Sequence, residues 1–428
     1  MRYRSTKGVT DTVDFRTAVL RSQPSDGGLY MPLTIPSFSE SLCNSISELT
    51  QQELAFEILY PFVGNSIPRH IFREIVNDAF DVPIPLITLD DPLSILELFH
   101  GKTASFKDFG GKFIAQLFHW FNKEENRPLD ILVATSGDTG AAIAAHTANR
   151  EGIRTTILYP KDRITPYQQG QITQFGENIR SIEINGTFDD CQHLVKTAFA
   201  DSELNTRLNL TSANSINTGR LLAQIPLWYE IIRQRKQKTP LTVIVPSGNL
   251  GNLTAGLIAR KMGAPINTIV AATNANNIFP QYLNTASWLP KKAIQTLSNA
   301  MDVGNPSNFA RIKDLYGSTW NTIKREILSL SISDKQSLLA INQLHATTGY
   351  ICDPHTSCAY SAFIQMEKQP KAHTTLLATA HPIKFANLPI DAYQYLKIQK
   401  NKNADHDTRP SQVLQPDFSE LKEWLLSH

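Results

Sequence analysis

Residues 241–262 read Leu-Thr-Val-Ile-Val-Pro-Ser-Gly-Asn-Leu-Gly-Asn-Leu-Thr-Ala-Gly-Leu-Ile-Ala-Arg-Lys-Met. Leu241–Val245 is an apolar, β-branched run of strand length, and after a glycine-rich turn Leu253–Met262 continues as a helix. A strand that passes through glycines into a helix calls for a next strand lying parallel to the first, and Thr268–Ala272 supplies it. The same order recurs upstream in Ile131–Ala134, the loop Ser136-Gly-Asp-Thr-Gly140, Ala141–Ala148 and Thr155–Tyr159. The alternation runs from about Leu93 to Ala386. It predicts an α/β fold of parallel sheets covered by helices on both faces, with ligands at the carboxyl ends of the strands, where both glycine loops fall. A small lobe is expected over about residues 108–217, and a larger lobe holds the second loop.

Each glycine loop can present several backbone N–H groups to an anion at the start of a helix. Lys107, within Leu96-Glu-Leu-Phe-His-Gly-Lys-Thr-Ala-Ser-Phe-Lys-Asp-Phe-Gly-Gly-Lys-Phe113, stands between a strand-like run and the start of an amphipathic helix. Partial positive charge at that helix end disfavours an ammonium, so the neutral, nucleophilic amine becomes more accessible. One such lysine and two anion cradles point to an aldehyde cofactor bearing a phosphate. A surface lysine after a helix cap and an ordinary strand-to-helix turn are the plain alternatives.

With 428 residues, 41% hydrophobic and 19% charged, the chain can bury a large core and is expected to form two or three domains. Lys and Arg number 41 against 39 Asp and Glu, without a dense basic run. That balance argues against nucleic acid or an anionic membrane and for a small charged metabolite. The opening Met1-Arg-Tyr-Arg-Ser-Thr-Lys7 has no apolar signal region and no apolar run reaches membrane-spanning length, so a cytoplasmic location is expected. Cys43, Cys191, Cys352 and Cys358 show neither Cys-x-x-Cys nor zinc spacing. Free thiols and no metal site follow.

Residues 1–90 are expected as an N-terminal subdomain, with Leu54, Ile58 and Leu59 on one helix face. The catalytic region is expected over 91–396. Residues 397–428 read as a polar linker, Gln399–Pro410, and a helix whose Phe418, Leu421, Trp424 and Leu425 serve packing. The oligomeric state is left at monomer or homodimer.

One ordered set of motifs narrows the reading: Glu97-Leu-Phe-His-Gly-x-Thr-x-x-Phe-Lys107-Asp-Phe-Gly-Gly111, Ala134-Thr-Ser-Gly-Asp-Thr-Gly140, Ser212-Ala-Asn-Ser-Ile-Asn217, Pro246-Ser-Gly-Asn-x-Gly251, Leu297-Ser-Asn-Ala-Met-Asp302 and Thr379-Ala-His-Pro382. It resembles the threonine synthases in their long bacterial and fungal form, and the resemblance runs from Tyr3-Arg-Ser-Thr-Lys-Gly8 to the C-terminal region. Each motif alone is weak evidence, whereas their number and order are specific. The resemblance implies the two-lobed fold of pyridoxal-phosphate enzymes similar to the tryptophan synthase β chain, with an N-terminal helical subdomain. It implies pyridoxal 5′-phosphate as cofactor and O-phospho-L-homoserine as substrate. The reaction would be γ-elimination and β-hydration to L-threonine and phosphate, the last step of threonine biosynthesis.

Residue by residue, the resemblance implies that Lys107 binds the cofactor covalently and then shuttles protons among the substrate's α, β and γ carbons. Gly248, Asn249, Leu250, Gly251 and Asn252 would cradle the cofactor's phosphate, with Gly251 the position where a side chain obstructs it or strains a positive φ. Thr379, which follows the run Thr374-Thr-Leu-Leu-Ala378, would meet the pyridine nitrogen with a hydroxyl. Thr135, Ser136, Gly137, Asp138 and Thr139 would take the substrate's α-carboxylate, with Asp138 near the cofactor's phenolic oxygen. Helix capping by Ser136 or Asp138 stays open beside that role. Arg220, in the first turn of a helix near Leu221–Ile232, would grip the substrate phosphate bidentately with help from Asn214 and Ser215. Lys112, Lys161 and Lys384 are weaker candidates, and His100, His355 and His381 are expected to be structural. Closure of the small lobe is expected to exclude bulk water.

Lys102 departs from His-Gly-Pro-Thr and Leu250 from Gly-Asn-Phe-Gly, and Lys102 adds a charge a few residues from the nucleophile; Thr218-Gly219 also departs from the commonest residues there. A serine or threonine dehydratase would share Lys107 and the glycine loops but would need no cation for a leaving phosphate. A phosphate-binding protein without turnover would keep the fold and cofactor alone. Nucleotide binding is disfavoured, because neither Gly-x-Gly-x-x-Gly nor a P-loop is present.

Overall fold

Three sheets organise the chain, two of them parallel and one a small antiparallel sheet near the N-terminus. The computed structural model describes residues 1–38, 45–90, 92–123, 125, 127–235, 239–366, 373–388, 390–393 and 412–428. Cys43 and the expected linker Gln399–Pro410 lie outside them. At the start of the chain β1 (Arg2–Ser5) pairs with β2 (Val13–Asp14) and β3 (Tyr30–Pro32), accompanied by α1 (Phe15–Arg21), α2 (Gln51–Val63) and α3 (Arg69–Ala79). Thr50 and Glu53 close a capping box at the start of α2, and Leu54, Ile58 and Leu59 are buried on one face, as the helical period predicts.

β4 (Leu86–Asp90) and β5 (Leu93–Glu97) follow and lead to α4 (Lys107–Asn122). The chain then alternates through β6 (Leu129–Ala134), α5 (Asp138–Thr147), β7 (Ile153–Pro160), α6 (Pro166–Thr173), β8 (Ile179–Ile184), α7 (Phe188–Ala200), α8 (Ser202–Arg207) and β9 (Leu210–Thr211). Next come α9 (Thr218–Leu222), α10 (Ile225–Gln234), β10 (Leu241–Pro246), α11 (Gly251–Lys261), β11 (Thr268–Thr273), α12 (Ile278–Thr285), α13 (Phe309–Leu315), α14 (Trp320–Glu326) and β12 (Leu328–Ser331). α15 (Asp334–Thr348), α16 (Pro354–Gln365), β13 (His373–Ala378), β14 (Gln412–Leu414) and α17 (Phe418–Ser427) complete it.

The larger sheet has the order β12-β11-β10-β13-β5-β4, and the smaller one β14-β8-β7-β6-β9. The pairings are parallel, in keeping with the expected α/β class, except that β4 runs antiparallel to β5. Too few residues separate those two strands for a crossover, so the chain can only double back. β10 is buried along its whole length, as a strand with helices on both faces must be. α11 packs on α10 closely enough that a methyl on Gly256 would stand 2.3 Å from the Trp228 indole.

Two expectations are corrected. The helix placed at Leu221–Ile232 is in fact two, α9 and α10. Pro226 sits in the first turn of α10; it has no N–H to continue the preceding helix but suits the start of a new one. The C-terminal segment also carries a strand that its linker-and-helix reading lacked: β14 extends the smaller sheet by pairing with β8. α17 then buries Leu421, Trp424 and Leu425 among Cys191, Leu194 and Leu204. The described cysteines Cys191, Cys352 and Cys358 are free and buried. Among the described residues no helix is long and apolar enough to cross a membrane.

Candidate active site

The ends of β6, β10 and β13 and the start of α4 open onto one cavity between the two parallel sheets. Lys107, Thr135, Ser136, Asp138, Thr139, Asn214, Ser215, Arg220, Gly248, Asn249, Leu250, Gly251, Asn252 and Thr379 all line it. Gly137 is the expected residue outside that lining. Its φ of +126° admits only glycine with ease, and the Gln168 amide lies 2.6 Å from where its Cβ would be. Lys112 and Lys161 do not reach the cavity: Lys112 pairs on the surface with Asp78 and Asp81, and Lys161 is exposed.

Lys107 begins α4 with its amine 4.2 Å from the centre of the Phe106 ring. Its pKa falls to about 8: desolvation is the largest cause, the Arg220 charge and that of Lys384 act the same way, and Asp138 opposes them. The helix end inferred from sequence is thus joined by burial and two cations. Lys102 takes no part, because its amine turns to the Phe175 ring and the Ala145 carbonyl. The loop before Lys107 is held by Asp108, which accepts from the Thr103 N–H at 2.8 Å and meets His146 Nε2 at 2.8 Å.

The second glycine loop rises from β10 into the N-terminus of α11. Here the positive φ (59°) belongs to Leu250, and the tight approach to Gly248, whose added Cβ would lie 2.6 Å from Met301 Cα. Gly251 has no positive φ, which removes one of its two expected effects and leaves obstruction of a bound phosphate as the other. A Cβ on Gly251 would meet nothing nearer than 3.5 Å, so this glycine keeps an open cradle at the first turn of a helix. Three residues of the lining also carry a buried polar atom without a partner: Asn252 Nδ2, Gln224 Oε1 and Arg220 Nε. Asn252 is held by the Trp228 indole, which donates to its Oδ1 at 2.8 Å.

Arg220 is buried, donates from Nη1 to the Ala213 carbonyl at 2.8 Å, and has its pKa lowered to about 10 by burial against the pull of Asp108. It remains a cation at neutral pH. Ser215 Oγ accepts from Asn249 Nδ2 at 2.7 Å and from Asn308 Nδ2 at 3.3 Å, which leaves its hydroxyl proton for an acceptor in the cavity. Asn214, expected as a neutral donor to the substrate phosphate, lines the cavity and also serves the backbone: its amide donates to the Ala134 carbonyl at 2.6 Å and accepts from the Ala134 N–H at 3.0 Å, extending the end of β6. Arg311, which the sequence reading missed, fixes this loop by donating to the Ser215 and Ile216 carbonyls at 2.7 and 2.6 Å. No local pattern marks it, since it acts across a long sequence separation.

The loop after β6 is capped by Thr135, whose Oγ1 accepts from the N–H groups of Gly137 and Gly140 at 3.0 and 2.8 Å. Neither Ser136 nor Asp138 caps the helix. Asp138 instead meets Lys384 Nζ at 2.7 Å and accepts from Gln168 Nε2 at 2.9 Å. Burial would raise its pKa, but Lys384 and His355 outweigh that and hold it at about 2. His355 lines the cavity, paired with Asp353 at 2.5 Å. His100 pairs with Glu97, and His381 Nδ1 accepts from the Ile383 N–H. Asn299, inside the quoted Leu297–Asp302 motif, donates to Gln168 Oε1 at 2.9 Å and so ties the larger sheet's side to α6.

The family described as "Pyridoxal-phosphate dependent enzyme" matches residues 87–379, and "Threonine synthase N terminus" matches residues 2–80. The chain is 39% identical over 433 residues to the threonine synthase of Buchnera aphidicola subsp. Schizaphis graminum, with 100% of each covered. Among solved structures it resembles the threonine synthase of Escherichia coli, with a TM-score of 0.92 at 37% identity over 100% of both chains. It also resembles the PLP-bound threonine synthase of Brucella melitensis, with a TM-score of 0.88 at 28% identity over 100% of this chain and 99% of that one.

Proposed function

The chain belongs to the pyridoxal-phosphate-dependent enzymes and, within them, to the threonine synthases, and on that premise we propose that it converts O-phospho-L-homoserine and water to L-threonine and phosphate in the cavity around Lys107. The residues present fit the cofactor: Gly251 keeps an open cradle at a helix N-terminus, residues of the lining carry unpartnered polar atoms, and an amine with a pKa of about 8 faces the cavity. When bound, pyridoxal phosphate supplies an aldehyde for amine exchange and a ring that draws electron density from the carbon beside the amino group.

The chain's own groups do the rest. Backbone N–H groups of Gly248–Asn252 bind the cofactor's phosphate with the partial charge of α11 behind them, so no cationic side chain is required. Thr379 would offer a hydroxyl to the ring nitrogen, and Asp138, ionised and paired with Lys384, would stand near the phenolic oxygen. The loop Thr135–Thr139, fixed by Thr135 Oγ1, takes the substrate's α-carboxylate. Lys107 Nζ, its proton affinity lowered by burial, removes the proton from the α carbon and then from the β carbon and returns one at γ and one at α, while water gives its hydroxyl to the β carbon and its proton to the departed phosphate. Arg220 and the Ser215 hydroxyl hold the substrate phosphate as it leaves carbon γ. Phe188 and Met301 help close the cavity to bulk water until phosphate has left.

The observation that carries this reading is the buried Arg220 guanidinium, with a free Nε, in the same cavity as Lys107. A dehydratase has no leaving phosphate to hold there. The reading asks for a small-molecule substrate, as monomer or homodimer, in the cytoplasm, with no nucleic acid, membrane or metal; the free buried thiols support a reducing compartment. The test is incubation of the pure protein with O-phospho-L-homoserine. Threonine and phosphate should appear in equal amounts, and phosphate without threonine, or neither product, would overturn the proposal.

A further inference from the structure

Lys384 lies in the turn that follows β13, on the larger sheet, yet its side chain is fully buried and reaches the smaller sheet's first glycine loop. Its Nζ stands 2.7 Å from Asp138 Oδ1 and donates to the Thr103 carbonyl at 3.0 Å. One ammonium therefore joins three segments: the turn after Thr379, the loop that leads into Lys107, and the start of α5. Asp138 is the acidic group that acts on Lys107 through space, where Arg220 and Lys384 are the neighbouring cations. Left alone, a buried carboxylate facing an amine would pair with it and hold it protonated.

Resting on the reading of Lys107 as the reacting amine, we propose that Lys384 is a positioning residue: it takes Asp138 into an ion pair between the two sheets and so denies Lys107 an anionic partner. The other groups facing the pair agree with this. His355 on α16 and Gln168 on α6 also favour the ionised carboxylate, which keeps Asp138 an acceptor directed at Lys384. Asp108 and Asp353, the other buried acids of this region, are occupied, Asp108 by His146 and the Thr103 N–H and Asp353 by His355, and the Asp108 charge acts on Arg220. With these acids engaged, Arg220 and Lys384 join desolvation in driving the proton from Lys107.

Trace labelling with 1-fluoro-2,4-dinitrobenzene, which reacts only with neutral amines, tests this on the full-length chain dialysed free of aldehydes. Labelling of Lys107, read by peptide mass across pH, should be half-maximal near pH 8 in the unsubstituted chain. Lys384→Met should move the profile up by about one pH unit or more, roughly a tenfold loss of labelling at pH 7. The pair Lys384→Met with Asp138→Asn should restore it, and Lys384→Arg should leave it in place. Loss of a mere strut would shift the single and double variants alike. An unmoved profile in Lys384→Met, or a double variant shifted as far as the single, overturns the inference. Should Lys384→Met not fold, Asp138→Asn reads the same charge from the other side: the profile should move down, and no movement overturns the proposal. A chain that makes threonine while its labelling ignores these changes sinks this inference alone. One whose labelling responds but that makes no threonine sinks the proposed reaction alone.

Discussion

A methyl group on Gly110 would stand 2.6 Å from Nε of Arg220, so the helix that begins at Lys107 admits the guanidinium against its backbone only because it has no side chain there. Gly110 is thus a docking place for the guanidinium proposed to hold the substrate phosphate, while Gly111 meets α5, with the Ala142 carbonyl 3.1 Å from its added Cβ. Gly110→Ala should raise helix propensity by about 1 kcal/mol and yet displace Arg220. We expect kcat/KM for O-phosphohomoserine to fall roughly tenfold, the equivalent of about 1.4 kcal/mol, with thermal stability lowered, because the buried guanidinium must give up the Ala213 carbonyl. Full activity in this variant would show that the guanidinium need not lie where it does.

Arg220→Ala removes a charge-assisted, bidentate-capable contact worth about 2–4 kcal/mol, or roughly 30- to 1,000-fold in kcat/KM for the phosphorylated substrate. Cofactor loading and the spectral response to serine, which carries no phosphate, should barely change. Arg220→Lys should recover part of the loss, since an ammonium brings charge without the planar fork. Equal losses with serine and O-phosphohomoserine would move the phosphate site elsewhere.

The two glycines of the second loop should separate in their effects. Gly251→Ala adds a methyl that touches nothing within 3.5 Å, so folding stability should hold while pyridoxal phosphate affinity drops on the order of tenfold or more through loss of the cradle. Gly248→Ala forces a methyl to 2.6 Å from the Met301 backbone and should destabilise the fold by about 1–3 kcal/mol. Equilibrium dialysis and urea titration read the two quantities. A Gly251→Ala protein with unaltered affinity would count against this loop as the phosphate site.

Lys107 also leaves a pH signature in the cofactor-free chain. Its pKa is lowered to about 8 in the folded protein from 10.5, so between those values the folded state holds fewer protons than the unfolded one and stability rises with pH. The contribution is absent below pH 8 and complete above about pH 10.5, amounting to about 3 kcal/mol at most. Comparing urea midpoints of the unsubstituted chain and Lys107→Met at pH 7.5 and pH 10 isolates it. The difference between the two proteins should shrink at the higher pH; a constant difference would mean that the amine titrates normally.

Much of this architecture is written locally. The apolar runs of β6, β7, β10, β11 and β13, the glycines after β6 and β10, and the helical period of α2 and α17 follow from residues close together in the chain. So does the place of Lys107 at a strand-to-helix junction, because backbone geometry there depends on a few neighbours. Less local features went unread. Leu250 holds the positive φ expected of Gly251, since the pull of Asn249 toward Ser215, Ser307 and Asn308 sets the loop's path. Asn214 serves the Ala134 backbone, and Pro226 divides one expected helix into two.

Alternating strands and helices, two glycine loops at strand ends and a lysine at the start of a helix are legible in the chain alone, because each depends on short-range periodicity and turn chemistry. The meeting of Lys384 with Asp138, the seat of Arg220 on Gly110 and the hold of Arg311 on the Ser215 loop arise only on packing. These pairs join residues far apart in the chain, and burial, which lowers the pKa of Lys107, Arg220 and Arg311, does not exist until the sheets have packed.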